Sequence, residues 1–75
     1  MALSFTHSVA SSVRAEMARQ RWTQQRVADA VGMSQQALSA RLRGVRPFDT
    51  SELERIAAAL DVPVTQFLPT PERVG

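Results

Sequence analysis

Within residues 34–43, four side chains lie on one face of a predicted helix. Their chemical groups suit contact with nucleic-acid bases. Gln35 and Gln36 stand in the first turn of this segment, and Ser39 and Ala40 follow one turn later. A glutamine amide has both a donor and an acceptor, so it can match the N6 and N7 edge of adenine, and an alanine methyl can meet a thymine methyl. These residues could therefore read base pairs in a major groove. Glutamines on an exposed helix face are also common as solvated surface, and this alternative stays open here.

The starts of two predicted helices offer hydrogen-bond donors that suit the phosphates of a nucleic acid. Thr23 and Gln24 open the first of these helices, and Ser34 caps the second. The first N–H groups of a helix have no intrahelical partner and lie at the positive end of its dipole. We therefore expect Thr23, Gln24 and Ser34 to lie at phosphates.

Three arginines lie near the end of the second helix. Arg43 and Arg46 flank that end and should reach phosphates, because a guanidinium fork matches phosphate geometry. Arg41 has two candidate roles. It either joins the phosphate contacts, or lies along the core and points toward Glu52 or Glu54.

Residues 24–44 contain the two helices that must position these side chains. Gly32 stands where the chain reverses, since glycine adopts left-handed turn conformations without steric cost. Apolar residues at helical spacing define the buried face on either side of it: Val27, Ala28, Val31, Leu38 and Leu42. The pattern predicts two crossing helices whose second member has a polar outer face.

This arrangement resembles the helix-turn-helix of the lambda-type phage repressors, Cro proteins and the xenobiotic-response-element group. The matching residues are Gln24, Ala28, Gly32, Ser34, Gln35, Gln36, Leu38 and Gly44. Residues 46–68 resemble the fourth and fifth helices of that family, so the resemblance covers most of the chain. It implies that Gln35 contacts adenine and that Gln24 braces Gln35. Arg41 departs from the apolar residue usual at its position, and we expect Leu42 to take over that core contact.

The expected fold is all-α, a compact five-helix domain in which helices 2 and 3 form the helix-turn-helix. The first helix is predicted over residues 5–20, after a loose start, with its apolar stripe at Phe5, Val9, Val13 and Met17, widened by Ala10 and Ala18. Asp49 and Glu52 resemble a capping box at the start of the fourth helix. Asp61, where the family commonly has glycine, follows that helix, and a last turn spans residues 64–68. We assign residues 1–68 to the DNA-binding domain and residues 69–75 to a tail.

Two further side chains invite a functional role but have simpler explanations. His7 falls on the polar side of the first helix and is expected to be solvated. Trp22, the only tryptophan of the chain, precedes the helix pair. We interpret it as a core anchor between helices in preference to a DNA or partner contact.

The charge is unevenly distributed along the chain, whose formal net charge is +2. Residues 1–46 hold seven arginines against two acidic residues, whereas residues 47–75 hold two arginines against five acidic residues. The positive excess therefore lies on the half that carries the helix pair, as phosphate binding requires. All basic residues are arginines, and a GC-rich genome would produce the same bias.

Composition argues against several other classes of protein. The chain has no cysteine and one histidine, so we expect no disulfide, no zinc site, no cofactor and no small-molecule ligand. No apolar run approaches the roughly 20 residues of a membrane span, and no secretion signal is evident. We expect a cytoplasmic protein that lies on the nucleoid when bound to DNA. No nucleophile–base set or glycine-rich phosphate loop suggests an enzyme.

The sequence therefore favours a sequence-specific binder of double-stranded DNA, expected to be a small repressor of phage, mobile-element or host promoters. One such domain makes few contacts, so we expect a homodimer on a palindromic operator. Phe67 and Leu68, taken as partly exposed, are the candidate dimer surface; alternatively both close the core. From its length we expect neither a separate dimerisation domain nor a separate ligand domain. Two other functions stay open: a protein-interaction module of the same fold, and the antitoxin of a toxin–antitoxin pair.

Overall fold

The computed structural model describes residues 4–69, whose backbone forms four α-helices and one 3-10 turn. The helices are α1 (Phe5–Gln20), α2 (Gln24–Val31), α3 (Gln35–Leu42) and α4 (Thr50–Leu60), and the 3-10 turn spans Val64–Phe67. The predicted all-α class and the helix-turn-helix of α2 and α3 are confirmed. The tail predicted for residues 69–75 lies, from residue 70 onward, outside the described residues.

The prediction of a fifth helix is wrong. Val64–Phe67 forms a single 3-10 turn that follows Pro63 and precedes Pro69. Proline cannot donate a backbone hydrogen bond and disfavours helical conformation in the residue before it. The short stretch between the prolines therefore closes with i→i+3 hydrogen bonds, such as that from Gln66 N to Pro63 O at 3.0 Å. Within residues 4–69 no helix is long and apolar enough to span a bilayer.

Each α-helix begins at a side chain that accepts a backbone N–H. The accepting residues are Ser4, Thr23, Ser34 and Asp49. A cap of this kind stabilises a helix by about 1 kcal/mol. The predicted capping box of α4 is present, because Asp49 N donates to Glu52 Oε1 at 3.0 Å and Glu52 N donates to Asp49 Oδ1 at 2.7 Å. Ser4, predicted to be loose, is instead the cap of α1, whereas residues 1–3 lie outside the described residues.

Four left-handed residues lie at or just after the helix ends. Gly32 and Gly44 have φ of +74° and +78°, as glycine allows. Asp61 has φ of 59° at the end of α4, where the resembling family commonly has glycine. Arg21 has φ of 62° at the end of α1 and was not anticipated. For a residue with a Cβ this conformation costs roughly 1–2 kcal/mol.

The carbonyl ends of α2, α3 and α4 are held by side chains of other helices. Arg55 Nη1 of α4 donates to Val31 O at 3.0 Å, and Gln20 Nε2 of α1 donates to Leu60 O at 2.7 Å. Arg14 Nη1 of α1 donates to Leu42 O, the last residue of α3. These contacts satisfy carbonyls that have no intrahelical partner. Together they join all four helices to one another.

The core lies where α2 packs against α3 and α4, with α1 packed against α3, α4 and the 3-10 turn. The fully buried large side chains come from all five elements: Val13, Val27, Leu38, Leu42, Ile56, Leu60 and Phe67. Burial of Leu42, at 1% exposure, confirms that it makes the core contact expected of it. Full burial of an aliphatic side chain contributes about 1.5–3 kcal/mol.

Two predictions of burial are wrong, and the open choice between exposure and burial of Phe67 is decided. Phe5 is 63% exposed, because it stands in the first turn of α1, ahead of the part that packs. Ala18 is also exposed, since it lies on the outer side of α1 from Val13 and Met17. Phe67 is fully buried, so it closes the core and is not a partly exposed dimer contact. Leu68, the other candidate, is 39% exposed.

Candidate nucleic-acid interface

The connection between α2 and α3 is short and fixed by hydrogen bonds. Gly32 ends α2 in a left-handed conformation, and Met33 N donates to Ala28 O at 3.0 Å. Ser34 Oγ then accepts from Ala37 N at 3.0 Å and starts α3. Met33 packs against the core between these two points. The turn therefore sets the crossing of the two helices without a flexible linker.

The polar side chains of α2 and α3 meet in one open cleft. Its lining residues are Gln24, Gln35, Gln36, Ser39 and Arg43. Leu38 and Leu42 are buried on the opposite side of α3, at 0% and 1% exposure. The structure thus brings together the side chains that spacing placed on one face. Ala40, predicted to meet a thymine methyl, is half-buried and does not line the cleft.

The cleft carries amide, hydroxyl and guanidinium groups and is lined by no carboxylate. It therefore offers several donors and also the acceptors of its amides. Base edges in a major groove present donors and acceptors in mixed order, whereas phosphates present acceptors alone. Gln24 of α2 and Gln35 of α3 line the same cleft, as bracing would require. The hydrogen bond between these two amides stays a prediction.

The side chains expected at phosphates lie around this cleft. Thr23 Oγ1 and Ser34 Oγ each accept a backbone N–H as N-caps, at 3.1 Å and 3.0 Å. Each hydroxyl proton can still donate to an anion. Arg43 lines the cleft, and Arg46 is exposed in the connection that follows α3. Their phosphate contacts stay predictions.

Arg41 takes the second of its two candidate roles in the free protein. Its Nε donates to Glu52 Oε1 at 2.9 Å, and its Nη1 donates to Ala37 O at 3.0 Å. The side chains of Arg41 and Glu52 are 21% and 10% exposed, so the pair is largely removed from water. It ties α3 to the first turn of α4. A phosphate contact by Arg41 stays a prediction and would have to compete with this ion pair.

Trp22 and Arg26 form a pair next to the first turn of α2. Trp22 is half-buried and packs against the core, which confirms its interpretation as a core anchor. The Arg26 Cζ lies 3.8 Å from the centroid of its ring. Sequence reasoning did not find this cation–π contact, although the i, i+4 spacing of the two residues is a signal for it.

His7 is exposed, as predicted, but its ring has a defined position. Its Nδ1 lies 2.8 Å from Ser4 Oγ. The ring also lies against the backbone of Gly44, just after α3, so that a Cβ built on Gly44 would be 2.6 Å from His7 Cδ2. His7 therefore contacts the segment that follows the candidate reading helix.

Glu16 is a buried acid that sequence reasoning missed. It is 4% exposed and accepts hydrogen bonds from Arg19, Gln20 and Gln66. Hydrogen bonds from Arg19 and then Gln20 lower the pKa of the Glu16 carboxyl, outweighing the effect of desolvation. The group joins α1 to the 3-10 turn, away from the cleft. Its role is structural.

Two solved structures share the fold. One is the crystal structure of a hypothetical transcription factor, NHTF, from Neisseria, with a TM-score of 0.82 and 28% identity over 91% of this chain and 78% of that chain. The other is that of the clp gene regulator ClgR from C. glutamicum, with a TM-score of 0.83 and 21% identity over 88% of this chain and 86% of that chain. At its lower identity, the second likeness shows the fold alone.

A search of curated proteins gives no match. The family model described as helix-turn-helix matches residues 13–67, which include the second half of α1, all of α2, α3 and α4, and the 3-10 turn. That family consists of DNA-binding transcription regulators and is not a family of enzymes. The protein therefore belongs to the lambda repressor/Cro-like helix-turn-helix family.

Proposed function

We propose that this protein binds a specific double-stranded DNA sequence through the major groove and represses transcription as a homodimer. The observation that carries the proposal is the cleft in which the polar side chains of α2 and α3 converge. A regulator that bound DNA by charge alone would need arginines there and no amides. The amides supply the donor and acceptor pairs that distinguish one base pair from another.

The reading mechanism follows from the order of side chains along α3. Gln35 and Gln36 stand in its first turn, the part of a recognition helix that contacts base edges. Either amide can pair with the N6 and N7 of one adenine. Gln24 of α2, which lines the same cleft, would hold Gln35 in that orientation. Arg43, one helical turn beyond Ser39, reaches toward the flanking phosphates. Base contacts then set the sequence and phosphate contacts set the register.

The homodimer and the direction of regulation rest on general arguments. One helix covers a few base pairs, and a two-fold dimer on half-sites one DNA turn apart doubles the contacts. Leu68 is 39% exposed at the end of the described fold and is the remaining candidate of the proposed dimer surface. Repression needs only occupancy of a promoter, whereas activation needs a further surface for the polymerase. The likeness to NHTF, a hypothetical transcription factor, supports a regulatory role.

The test is selection of bound duplexes from a random DNA pool, followed by binding measurements on the selected sequence. We expect an inverted repeat with half-site centres about one DNA turn apart, and a two-to-one protein-to-duplex ratio in sedimentation. Selection of no sequence above background would contradict the proposal. A single unrepeated site would contradict the homodimer.

A matched pair of glutamine variants tests the readout itself. Gln35→Ala should lose about 1–3 kcal/mol on the selected duplex and lose preference at one base pair of each half-site. Gln25→Ala is the control, because Gln25 is an exposed glutamine of α2 that does not line the cleft. If Gln35→Ala weakened all sequences equally, Gln35 would not be a base-reading residue.

A further inference from the structure

The first turn of α2 carries an arginine where its cap favours an acid. Thr23 is the N-cap, and its Oγ1 accepts from Arg26 N at 3.1 Å. A glutamate or glutamine at this third helical position would return a hydrogen bond to the backbone N–H of the cap. An arginine cannot accept one, and its charge opposes the positive end of the helix dipole. No acidic residue stands in this turn to compensate, so neither the cap of α2 nor its dipole explains Arg26.

The guanidinium of Arg26 is nevertheless held in place. Its Cζ lies 3.8 Å from the centroid of the Trp22 ring, and Trp22 is itself fixed by packing against the core. The negative face of the ring attracts the cation. A stacked guanidinium keeps its N–H groups in its own plane, where they can still donate to a phosphate. The side chain is therefore ordered before any ligand arrives.

The position of Arg26 places it beside the candidate interface. It shares the first turn of α2 with Gln24, which lines the cleft together with Gln35. In the helix-turn-helix docking geometry, the first helix of the motif crosses the sugar–phosphate backbone while the second enters the groove. The first turn of α2 would then face a phosphate that flanks the half-site.

We propose that Arg26, held against Trp22, binds a DNA phosphate beside the bases that α3 reads. It adds affinity without adding sequence preference. A phosphate at this point offsets both the arginine charge and the positive end of the α2 dipole. The opposition between the arginine charge and the helix dipole is unfavourable in the free protein, and a bound phosphate relieves it. This inference rests on the proposed function.

The test compares how salt weakens binding of the selected duplex by wild type, Arg26→Gln and Arg55→Gln. Loss of one phosphate contact lowers the log–log salt slope by about 0.9. Between about 50 and 200 mM salt, the affinity advantage of wild type over Arg26→Gln should therefore shrink about 3.5-fold. Arg55→Gln removes the same charge at the opposite end of α2, where Arg55 donates to Val31 O. Its slope should equal that of wild type.

Two further variants separate charge from stacking. Arg26→Lys keeps the charge but loses the planar group, so it should keep the wild-type slope and bind more weakly. Trp22→Leu keeps the arginine but removes the aromatic face, and it should also bind more weakly while selecting the same sequence. Thermal melts establish that each variant is folded at the temperature of the binding measurement.

The outcomes distinguish this inference from the proposed function. An unchanged slope in Arg26→Gln, or an equal decrease in Arg55→Gln, would overturn the role of Arg26 while wild type still bound its selected site. A changed base preference in Arg26→Gln would also overturn it, because a phosphate contact carries no sequence information. Failure of wild type to bind any duplex would overturn both.

Discussion

The imidazole of His7 lies where a side chain at position 44 would begin. A Cβ on Gly44 would be 2.6 Å from His7 Cδ2 and 2.8 Å from His7 Nε2, and Gly44 has φ of +78°. Position 44 therefore disfavours a side chain for two separate reasons, the left-handed backbone and the need for the His7 ring to move. Because Gly44 lies two residues beyond the end of α3, this contact also joins the start of α1 to the end of α3.

Gly32 provides the control that separates these two reasons. It has φ of +74°, and a Cβ on it would meet no atom within 4 Å. Gly32→Ala should therefore cost only the backbone strain, about 1–2 kcal/mol. Gly44→Ala should cost more in the free energy of unfolding, because the ring must also rotate away and lose its contact with Ser4. Urea denaturation of both variants measures the difference.

A His7→Ala background completes this test. There the ring is absent, so Gly44→Ala and Gly32→Ala should destabilise the protein equally. If Gly44→Ala cost no more than Gly32→Ala with His7 present, the ring would yield without loss and the contact would not constrain the end of α3.

Glu16 should make the stability of the protein sensitive to acid. The Arg19 hydrogen bond, followed by that of Gln20, lowers the pKa of this carboxyl in the folded state. A glutamate in the unfolded chain titrates near about 4.3. The stabilising contribution is therefore complete above that value and is lost as pH falls through the lower folded-state pKa.

Glu16→Gln measures that contribution. An amide there turns its own N–H groups toward the donors of Gln20 and Gln66, so the free energy of unfolding at neutral pH should fall. Its dependence on pH in the acid range should also become shallower. Glu54→Gln, at an exposed acid of α4, is the control and should change both quantities little. Parallel pH profiles for wild type and Glu16→Gln would disprove the assignment.

Asp61→Gly should stabilise the protein. Asp61 ends α4 with φ of 59°, a conformation that glycine adopts without the steric cost of a Cβ. We expect a gain of about 0.5–1 kcal/mol, because the looser unfolded chain of glycine offsets part of the relief. Asp61→Ala removes the same charge but keeps a Cβ, so it should lack this gain. Equal thermal stability of the glycine and alanine variants would show that strain at residue 61 is negligible.

Substitutions of the three arginines near the end of α3 should have different effects. That of Arg41 should lower folding stability, whereas those of Arg43 and Arg46 should weaken DNA binding. Arg41→Met breaks the ion pair with Glu52 and should cost about 1.5–3 kcal/mol of folding stability, with the salt slope of DNA binding unchanged. Arg43→Gln and Arg46→Gln alter exposed side chains. Each should lower that slope by about 0.9 and leave stability within about 0.5 kcal/mol. A lower slope in Arg41→Met would instead establish a phosphate contact by Arg41.

Local sequence signals predicted most of the fold and most residues of the cleft. The caps Thr23, Ser34 and Asp49 act within their own first turns, so their residue types alone locate the helix starts. The face of α3 follows from Leu38 and Leu42, because burying one side of a helix exposes the other. The resemblance added Gln24, which lies on a different helix and which spacing within α3 could not assign to the same cleft.

The features that sequence reasoning missed depend on contacts between distant parts of the chain. Glu16 is buried because Gln66, fifty positions later, completes its hydrogen bonds. Its place near Val9, Val13 and Met17 on α1 was a signal, since an acid there must find partners. Phe5 continues the apolar spacing of α1 but stands ahead of any element that could cover it. The spacing of apolar residues shows which way a side chain points, but it does not show whether another element reaches far enough to cover that side chain.

The side-chain bonds to the carbonyl ends of α2, α3 and α4 have a dynamic consequence. Fraying at those ends should be linked to separation of whole helices, so their amides should exchange with solvent mainly through global opening. Within residues 4–69 we therefore expect no hinge that moves α3 independently of the other helices. In the proposed complex, the fit to a DNA site of imperfect sequence would have to improve by bending or twisting of the duplex. The preference of the protein among DNA sequences would then depend also on how easily each sequence deforms.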